Sequence, residues 1–405
     1  MAAAVIVLGF SSQGSADTVN FDRLSLQQGL SQSNIFALTQ DSQGYIWMGT
    51  ESAADRFDGH QIDAFRHDPA NANTITSGAV VDFHSDQAGN LWILTEQGMS
   101  YLDLDSLTVA RVLEIEADDP VFGAIGGLSA FCDHQVIGIF GDQVWQADPV
   151  TSSHRRLRFV GHQPQARLTQ PVVDPLGHLW LSDGHDLWRS DCQSPSFKHV
   201  LSWPTSSGAP QFGVSLLTLT GRGDLAWAGP DGIGIVDPAT GQWRNIIRTE
   251  QNVLAISTDE LGGLWAFTET ALMHGQLTDA GDAIRSWTQF IEHQLPVENF
   301  PNKPLIQTAR SGDGVIWVSV GNLFGAYDPN EGTFQRLSHS PTNPQSLPPT
   351  AGWGGYELFA DRFGVLWVGA KLGGVARYVP ERHRFEHIRD ITQSSYVVRG
   401  VAEQR

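Results

Sequence analysis

The sequence predicts an all-β protein, a β-propeller assembled from four-stranded blades. Two observations carry that reading. The phrase D-x-x-G-x-[IL]-W recurs five times, as "DSQGYIWMGT" (41–50), "DQAGNLWILT" (86–95), "DPLGHLWLSD" (174–183), "DELGGLWAFT" (259–268) and "DRFGVLWVGA" (361–370). Strand-like anchors also recur at 47, 92, 138, 180, 227, 265, 317 and 367, spaced 38 to 52 residues apart. Eight repeats of that length match the four-strand propeller blade.

Each unit has the same internal order. A short apolar strand comes first, as in "NIFALTQ" (34–40) and "NVLAIST" (252–258). A tight turn follows, in which the Asp side chain caps a backbone N–H two residues on and the Gly supplies positive φ. The tryptophan strand is apolar on both sides of its anchor ("YIWMG", "VIWVS", "VLWVG"), as expected of a strand covered on both faces. A third strand ends near Asp in "DRFD" (55–58), "SYLD" (100–103) and "GAYD" (325–328), with Trp145 and Trp188 on that strand in two units. The fourth carries an aromatic, as in "WRNI" (243–246), "WTQF" (287–290), "FQRL" (334–337) and "FEHI" (385–388). The third and fifth units depart from the pattern. Gly138 stands at the third anchor with Cys132 and Gln135 before it, and Gly221 and Asp224 precede Trp227, so altered turns are expected there.

Composition limits the partners. The 405 residues hold 25 Lys and Arg against 44 Asp and Glu, a formal net charge of −19. Such a surface repels nucleic acid and anionic lipid. Cys132 and Cys192 are the two cysteines, with no CxxC pair, which suggests neither a zinc site nor a disulfide framework. The run "AAAVIVLGF" (2–10), with Gly14 and Ala16 behind it, reads as an export leader or its remnant over 1–16 and is too short to span a bilayer.

Read together with "GLSQSNIFALTQD" (29–41), the repeats resemble the two-component regulator propeller family over about residues 21–405. The segments "HDPANANTIT" (67–76) and "HSPTNPQSLP" (339–348) share H-x-P-x-N-x-x-[ST]-[IL], which is similar to that family's connection between blades. The resemblance implies the periplasmic sensor region of a bacterial hybrid histidine kinase or diguanylate cyclase. A further propeller, an immunoglobulin-like module, a membrane helix and a cytosolic output domain would then follow, and dimerisation would run through the full-length receptor. The expected division is seven blades over 21–337, with "FDRL" (21–24) as the closing fourth strand, and the start of a second propeller over 338–405. A single eight-bladed ring is the alternative.

No catalytic motif accompanies the repeat. H-E-x-x-H, G-x-S-x-G, the P-loop and a dinucleotide G-x-G-x-x-G are absent, and the fourteen His are scattered, with His60, His154 and His383 expected at strand edges. No cofactor or metal is expected, and the fragment is read as non-catalytic. The runner-up is a streptogramin-lyase-like propeller, which has blades with similar D-x-x-G-x-[IL]-W phrases and "DPATG" (237–241) endings. A structural interaction scaffold is the third reading. For ligand binding, the loops after the tryptophan strands place Glu51, Glu96, Asp142, Asp231 and Glu269 at one repeated position, with Lys371 in the last unit. Connections to the next unit add Trp203, Phe300 and Trp353, whose indole or phenyl faces suit an apolar sugar face. The expected ligand is a small molecule or oligosaccharide.

Overall fold

The computed structural model describes residues 5–7 and 19–380, apart from 87, 116–124, 132–134, 152, 167, 193–195, 205–215, 230, 250, 269, 279–280, 282, 293–305, 322 and 351–354. Four-stranded antiparallel units succeed one another over 35–66, 80–114, 125–160, 172–202, 217–248, 253–292 and 306–337. An eighth unit over 356–378 contributes three strands, and Asp22–Leu24 pairs with Gly374–Tyr378 as its fourth. The first strands of the units pack against one another in chain order, and Tyr356–Ala360 of the eighth unit packs against Ile35–Gln40 of the first. A ring of inner strands results.

The seventh unit already owns its fourth strand, Thr333–Leu337, so the strand expected to complete it completes the eighth instead. A repeated clamp explains the choice. The two H-x-P-x-N connections adopt one conformation, with His67 Nδ1 2.9 Å from Ile75 O and His339 Nδ1 2.8 Å from Leu347 O. Arg111, on the fourth strand of unit 2, donates to Thr74 O at 2.9 Å and Asp68 O at 2.7 Å. Arg23 does the same for the other connection, reaching Ser346 O and Leu347 O at 2.8 Å. Each connection is thus gripped by an arginine on the fourth strand of the unit it enters. Phe21 then lies edge-on to Trp317 and Phe324 in the core between the last two units. The candidate "FEHI" strand lies outside the described residues.

The recurring phrase is a hydrogen-bonded latch. Asp174, Asp259 and Asp361 each accept the N–H groups two and four residues on through Oδ1. Their Oδ2 atoms accept the indole Nε1–H of Trp180, Trp265 and Trp367 at 2.8–2.9 Å. Asp41 and Trp47 repeat the bond at 2.8 Å, and Ser311 Oγ takes the Asp role for Trp317. The Asp-to-Trp spacing of six is the reach of this bond, because the turn folds the carboxylate back over the strand. Burying an indole is favourable only if its N–H finds such a partner. These tryptophans sit on second strands and are buried against the next unit, as Trp47 is against Val80, Phe83 and Ile93.

Two anchors are shifted by one residue. In unit 3 the turn starts at Phe131, whose N–H donates to Gln135 O, so Ile137 and not Gly138 pairs where Trp47 does. In unit 5 it starts at Thr220, which makes Ala226 the equivalent residue and Trp227 its neighbour. A slip of one reverses every side chain. Trp227 consequently faces the other way and stacks on Trp243 at 5.5 Å with its Nε1 unpartnered among the described residues. At the other displaced position, a Cβ on Gly138 would lie 2.5 Å from Met99 Sδ, so the thioether occupies the space.

Units 3 and 4 are also joined at the rim, where Arg158–Val160 pairs in parallel with Ser196–Lys198. Cys192 is disulfide-bonded, which the spacing of two cysteines gave no reason to expect. Val5–Val7, inside the run read as a leader, pairs in parallel with Ile284–Glu292. Among the described residues no helix is long and apolar enough to cross a membrane.

Candidate functional site at the channel mouth

Each inner strand starts opposite the end of the second strand, as Ile35 does opposite Thr50. The loops after the second strands therefore lie at the same end of the ring as the first residues of the inner strands. At that end the repeated loop carboxylates form a rim. Glu51 accepts from Asn34 Nδ2 at 3.1 Å, and Asn34 in turn accepts from Leu372 N at 2.8 Å, so one amide ties the loops of units 1 and 8. Glu96 accepts from Ala79 N at 3.3 Å, and Asp142 is exposed in its hairpin. Asp231 pairs with Arg248 and accepts from Trp203 Nε1 at 2.8 Å. Glu269, Phe300 and Trp353 lie outside the described residues.

Trp203 does not offer an open face. It is 3 % exposed and meets Trp227 and Trp243 edge-on at 5.2 and 5.4 Å. A Cβ on Gly229 would lie 2.2 Å from its ring, so the indole fills the space that glycine leaves. The tryptophan beside Pro204 packs a gap between units, because its single polar atom is satisfied by Asp231 and the rest is hydrocarbon.

Inside the rim, polar residues near the start of the inner strands, with Lys371 from a loop, form a wall that the sequence reading did not single out. Gln307 donates to Glu357 Oε2 at 2.6 Å and accepts Leu358 N–H at 2.7 Å, which bridges units 7 and 8. Lys371, from the loop of unit 8, donates to Ile35 O at 2.9 Å, and its ammonium lies 3.6 Å from the centroid of Phe36. Asp82 of unit 2 accepts Leu128 N–H of unit 3 at 2.7 Å and Phe83 N–H at 2.8 Å. Asp82 and Glu357 keep part of their surface open while protein surrounds them. Burial, with Glu357 adding to it against the two backbone hydrogen bonds, pushes the Asp82 carboxyl up to about 6. Burial raises Glu357 as well, against the pull of Lys371 and Gln307, and lowers Lys371 against the pull of Glu357.

Such a wall can accept hydroxyl protons at two carboxylates, donate from an amide and an ammonium, and meet a ligand without a nucleophile–base pair. The sequence signal was a polar residue ten positions before the anchor tryptophan, Asp82 before Trp92, Gln307 before Trp317 and Glu357 before Trp367.

A second polar cluster lies at the same end of unit 4. Buried Asp186 accepts from Ser202 Oγ at 2.5 Å and lies 3.0 Å from His199 Nε2 and 3.3 Å from His185 Nδ1. His162 Nε2 is 2.8 Å from its other oxygen, which receives no hydrogen bond among the described residues. Burial pushes this carboxyl up, but Ser202, the histidines and the charge of His162 outweigh it and hold it below the usual range. Among the described residues no group of three His, Cys, Asp or Glu is placed to hold a metal ion.

Comparison with known proteins agrees with this architecture. Residues 29–52 match the family described as two component regulator propeller. A histidine kinase, P4, of Formosa agariphila is 38 % identical over 48 residues, which is 12 % of this chain and 4 % of that protein. The extracellular domain of a protein described as a hybrid two component system of B. thetaiotaomicron superposes with a TM-score of 0.54 at 17 % identity. The match covers 89 % of this chain and 42 % of that one. A catalytically inactive virginiamycin B lyase of Staphylococcus aureus superposes at 0.50 with 11 % identity, covering 89 % of this chain and 98 % of the lyase. The chain thus spans less than half the length of the kinase and of the two-component domain it matches. It is a propeller whose residues 29–52 carry the two component regulator propeller repeat.

Proposed function

We propose that the chain is the ligand-sensing propeller of an exported bacterial signal-transduction receptor, and that it binds at the channel mouth without catalysing a reaction. The observation that carries the binding site is the wall of Asp82, Glu357, Gln307 and Lys371, four polar side chains from three units at one end of the ring. A periplasmic location is supported by the Cys192 disulfide, since such bonds persist in oxidising compartments. The sensor role is supported by the matched repeat and by the kinase and two-component relatives. A receptor of this kind would couple the propeller to a histidine kinase or diguanylate cyclase output, act as a dimer and be anchored in the inner membrane.

An oligosaccharide suits the mouth. Carboxylates and an amide exchange hydrogen bonds with hydroxyls, and the rim of Glu51 and Glu96 extends that surface outward. Binding would signal by favouring one packing of the propeller over another. Calorimetry with a panel of neutral oligosaccharides tests the site. Glu357→Gln and Lys371→Met should each weaken a bound sugar about tenfold or more, a loss of roughly 1.4 kcal/mol. Unchanged affinity in both variants would move the site elsewhere. The lyase reading is favoured by the fold it shares with virginiamycin B lyase, and turnover of a cyclic lactone by the wild-type chain would establish it over the sensor reading.

A further inference from the structure

The third unit lacks the latch that units 1, 4, 6, 7 and 8 keep, and a cleft lies beside the vacated position. Phe131 and Ile137 stand there in place of the Asp–Trp pair, as the hairpin register shows. Across from the anchor, where units 1, 2 and 6 carry Arg56, Tyr101 and His274, unit 3 carries Gln146. A cleft of about 240 Å³ opens at this point, lined by Gln135, Gln146, Asp148, Ser153, His154 and Arg155. That is below the roughly 300–1,000 Å³ of drug-sized sites and suits a ligand no larger than one sugar or hydroxy acid.

The strand that borders it is basic on an acidic molecule, although the lining itself sets Arg155 against Asp148. The outer strand Ser153–Val160 reads "SHRRLRFV", three arginines and a histidine on a chain whose net charge is −19. The polar lining is ordered by its own bonds. Gln146 Nε2 donates to Gln135 Oε1, Gln146 Oε1 accepts Arg155 Nε–H at 2.7 Å, and Gln135 Nε2 donates to Asp148 Oδ2 at 3.4 Å. His154 Nδ1 is engaged with Val112 O at 2.8 Å. Among the described residues these bonds leave the two Nη groups of Arg155 and Nε2 of His154 without partners. The guanidinium is therefore oriented at one edge and open at the other, the arrangement that takes a carboxylate through paired N–H donors. Gln135 and Gln146 amides and Ser153 Oγ border the same space with groups that exchange hydrogen bonds with hydroxyls.

We propose that this cleft is a second binding site, distinct from the channel mouth, for a small hydroxylated carboxylate such as a uronic acid. Arg155 would hold the carboxylate and the amides and Ser153 the hydroxyls. Asp148, held by Gln135 and by the N–H groups of Val150 and Thr151, would disfavour ligands carrying several negative charges.

The test uses the full 405-residue chain, with D-glucuronate and D-glucose as probes in ligand-observed NMR and calorimetry. Glucuronate should bind at least about tenfold more tightly than glucose, a difference that a charge-assisted pair readily supplies. Arg155→Ala should remove that preference and Arg155→Lys should retain part of it, while Asp82→Asn at the channel mouth should leave glucuronate binding unchanged. Arg155 is exposed, so these variants are expected to fold. Equal binding of the two probes, unchanged affinity in Arg155→Ala, or no glucuronate binding at all would overturn the proposal. Loss of binding in Asp82→Asn alone would place the ligand at the channel mouth instead.

Discussion

Asp41 Oδ2 accepts the indole N–H of Trp47 at 2.8 Å, and both side chains are buried. Their bond makes the recurring phrase an energetic unit. Trp47→Ala should cost about 3–5 kcal/mol, the usual loss for a buried large aromatic. Trp47→Phe keeps much of the volume but leaves Asp41 Oδ2 without its donor, adding about 1–3 kcal/mol. Trp227 has no such partner among the described residues, so Trp227→Phe should cost measurably less than Trp47→Phe in urea melts. Glu51→Gln, on the rim, should stay within about 0.5 kcal/mol of wild type.

Asp82 should make the protein less stable as pH rises. Its folded pKa of about 6 lies above the ordinary 3.8, so the folded state holds the proton more tightly. The favourable contribution is complete below about 4 and lost as pH rises through 6, because the unfolded chain binds fewer protons there. Asp82→Asn should therefore flatten the stability profile between those values. It should gain about 1–3 kcal/mol relative to wild type at pH 8 compared with pH 4, as read from paired melts.

Asp259 acts in the opposite sense. Burial pushes its carboxyl up, but hydrogen bonds from His274, Gly263 N–H and Trp265 more than offset this and hold it below 3.8. A depressed folded pKa stabilises above the unfolded value and is lost as pH falls through the folded one. His274→Gln should consequently shift the acid-unfolding midpoint to higher pH. An unchanged midpoint would show that the His274 contact at 3.1 Å contributes nothing to that depression.

Arg23 should matter more than its half-exposed position suggests. It holds Ser346 O and Leu347 O while its strand completes the eighth unit. Arg23→Ala should cost about 1.5–3 kcal/mol, the range for hydrogen bonds from a charged donor. Limited proteolysis within 339–348 should quicken with it. The equivalent Arg111→Ala should expose 67–76 in the same manner.

The repeat was legible because it is hydrophobic patterning with fixed turn chemistry, and both are local in sequence. Trp47, Trp92 and Trp265 stand on second strands as the phrase implies. The one-residue shifts at Ile137 and Ala226 were not legible. A glycine in line with the other anchors mimics the period, and only pairing reveals that the turn began earlier. The pairing of "FDRL" was left open between two arrangements for a related reason, since it fits any fourth strand and the choice depends on Arg23 reaching a connection more than 300 residues away. The loop carboxylates stand at one repeated offset, and Asp82, Gln307 and Glu357 stand at another, ten residues before Trp92, Trp317 and Trp367, whose meaning no local pattern discloses. They reach a common space through the ring, which is a property of tertiary closure.

The parallel pairing of Arg158–Val160 with Ser196–Lys198 has a consequence for aggregation and for rigidity together. An outermost strand normally presents unpaired amides that can recruit another chain. Here two such edges conceal each other, so units 3 and 4 offer less of a template than their neighbours. The same bonds resist splaying of the rim beside Arg155, and amide hydrogens in 158–160 should exchange slowly for an outer strand. A cleft on a unit held in this way is shaped before any solute arrives, and little ordering free energy is lost when one does.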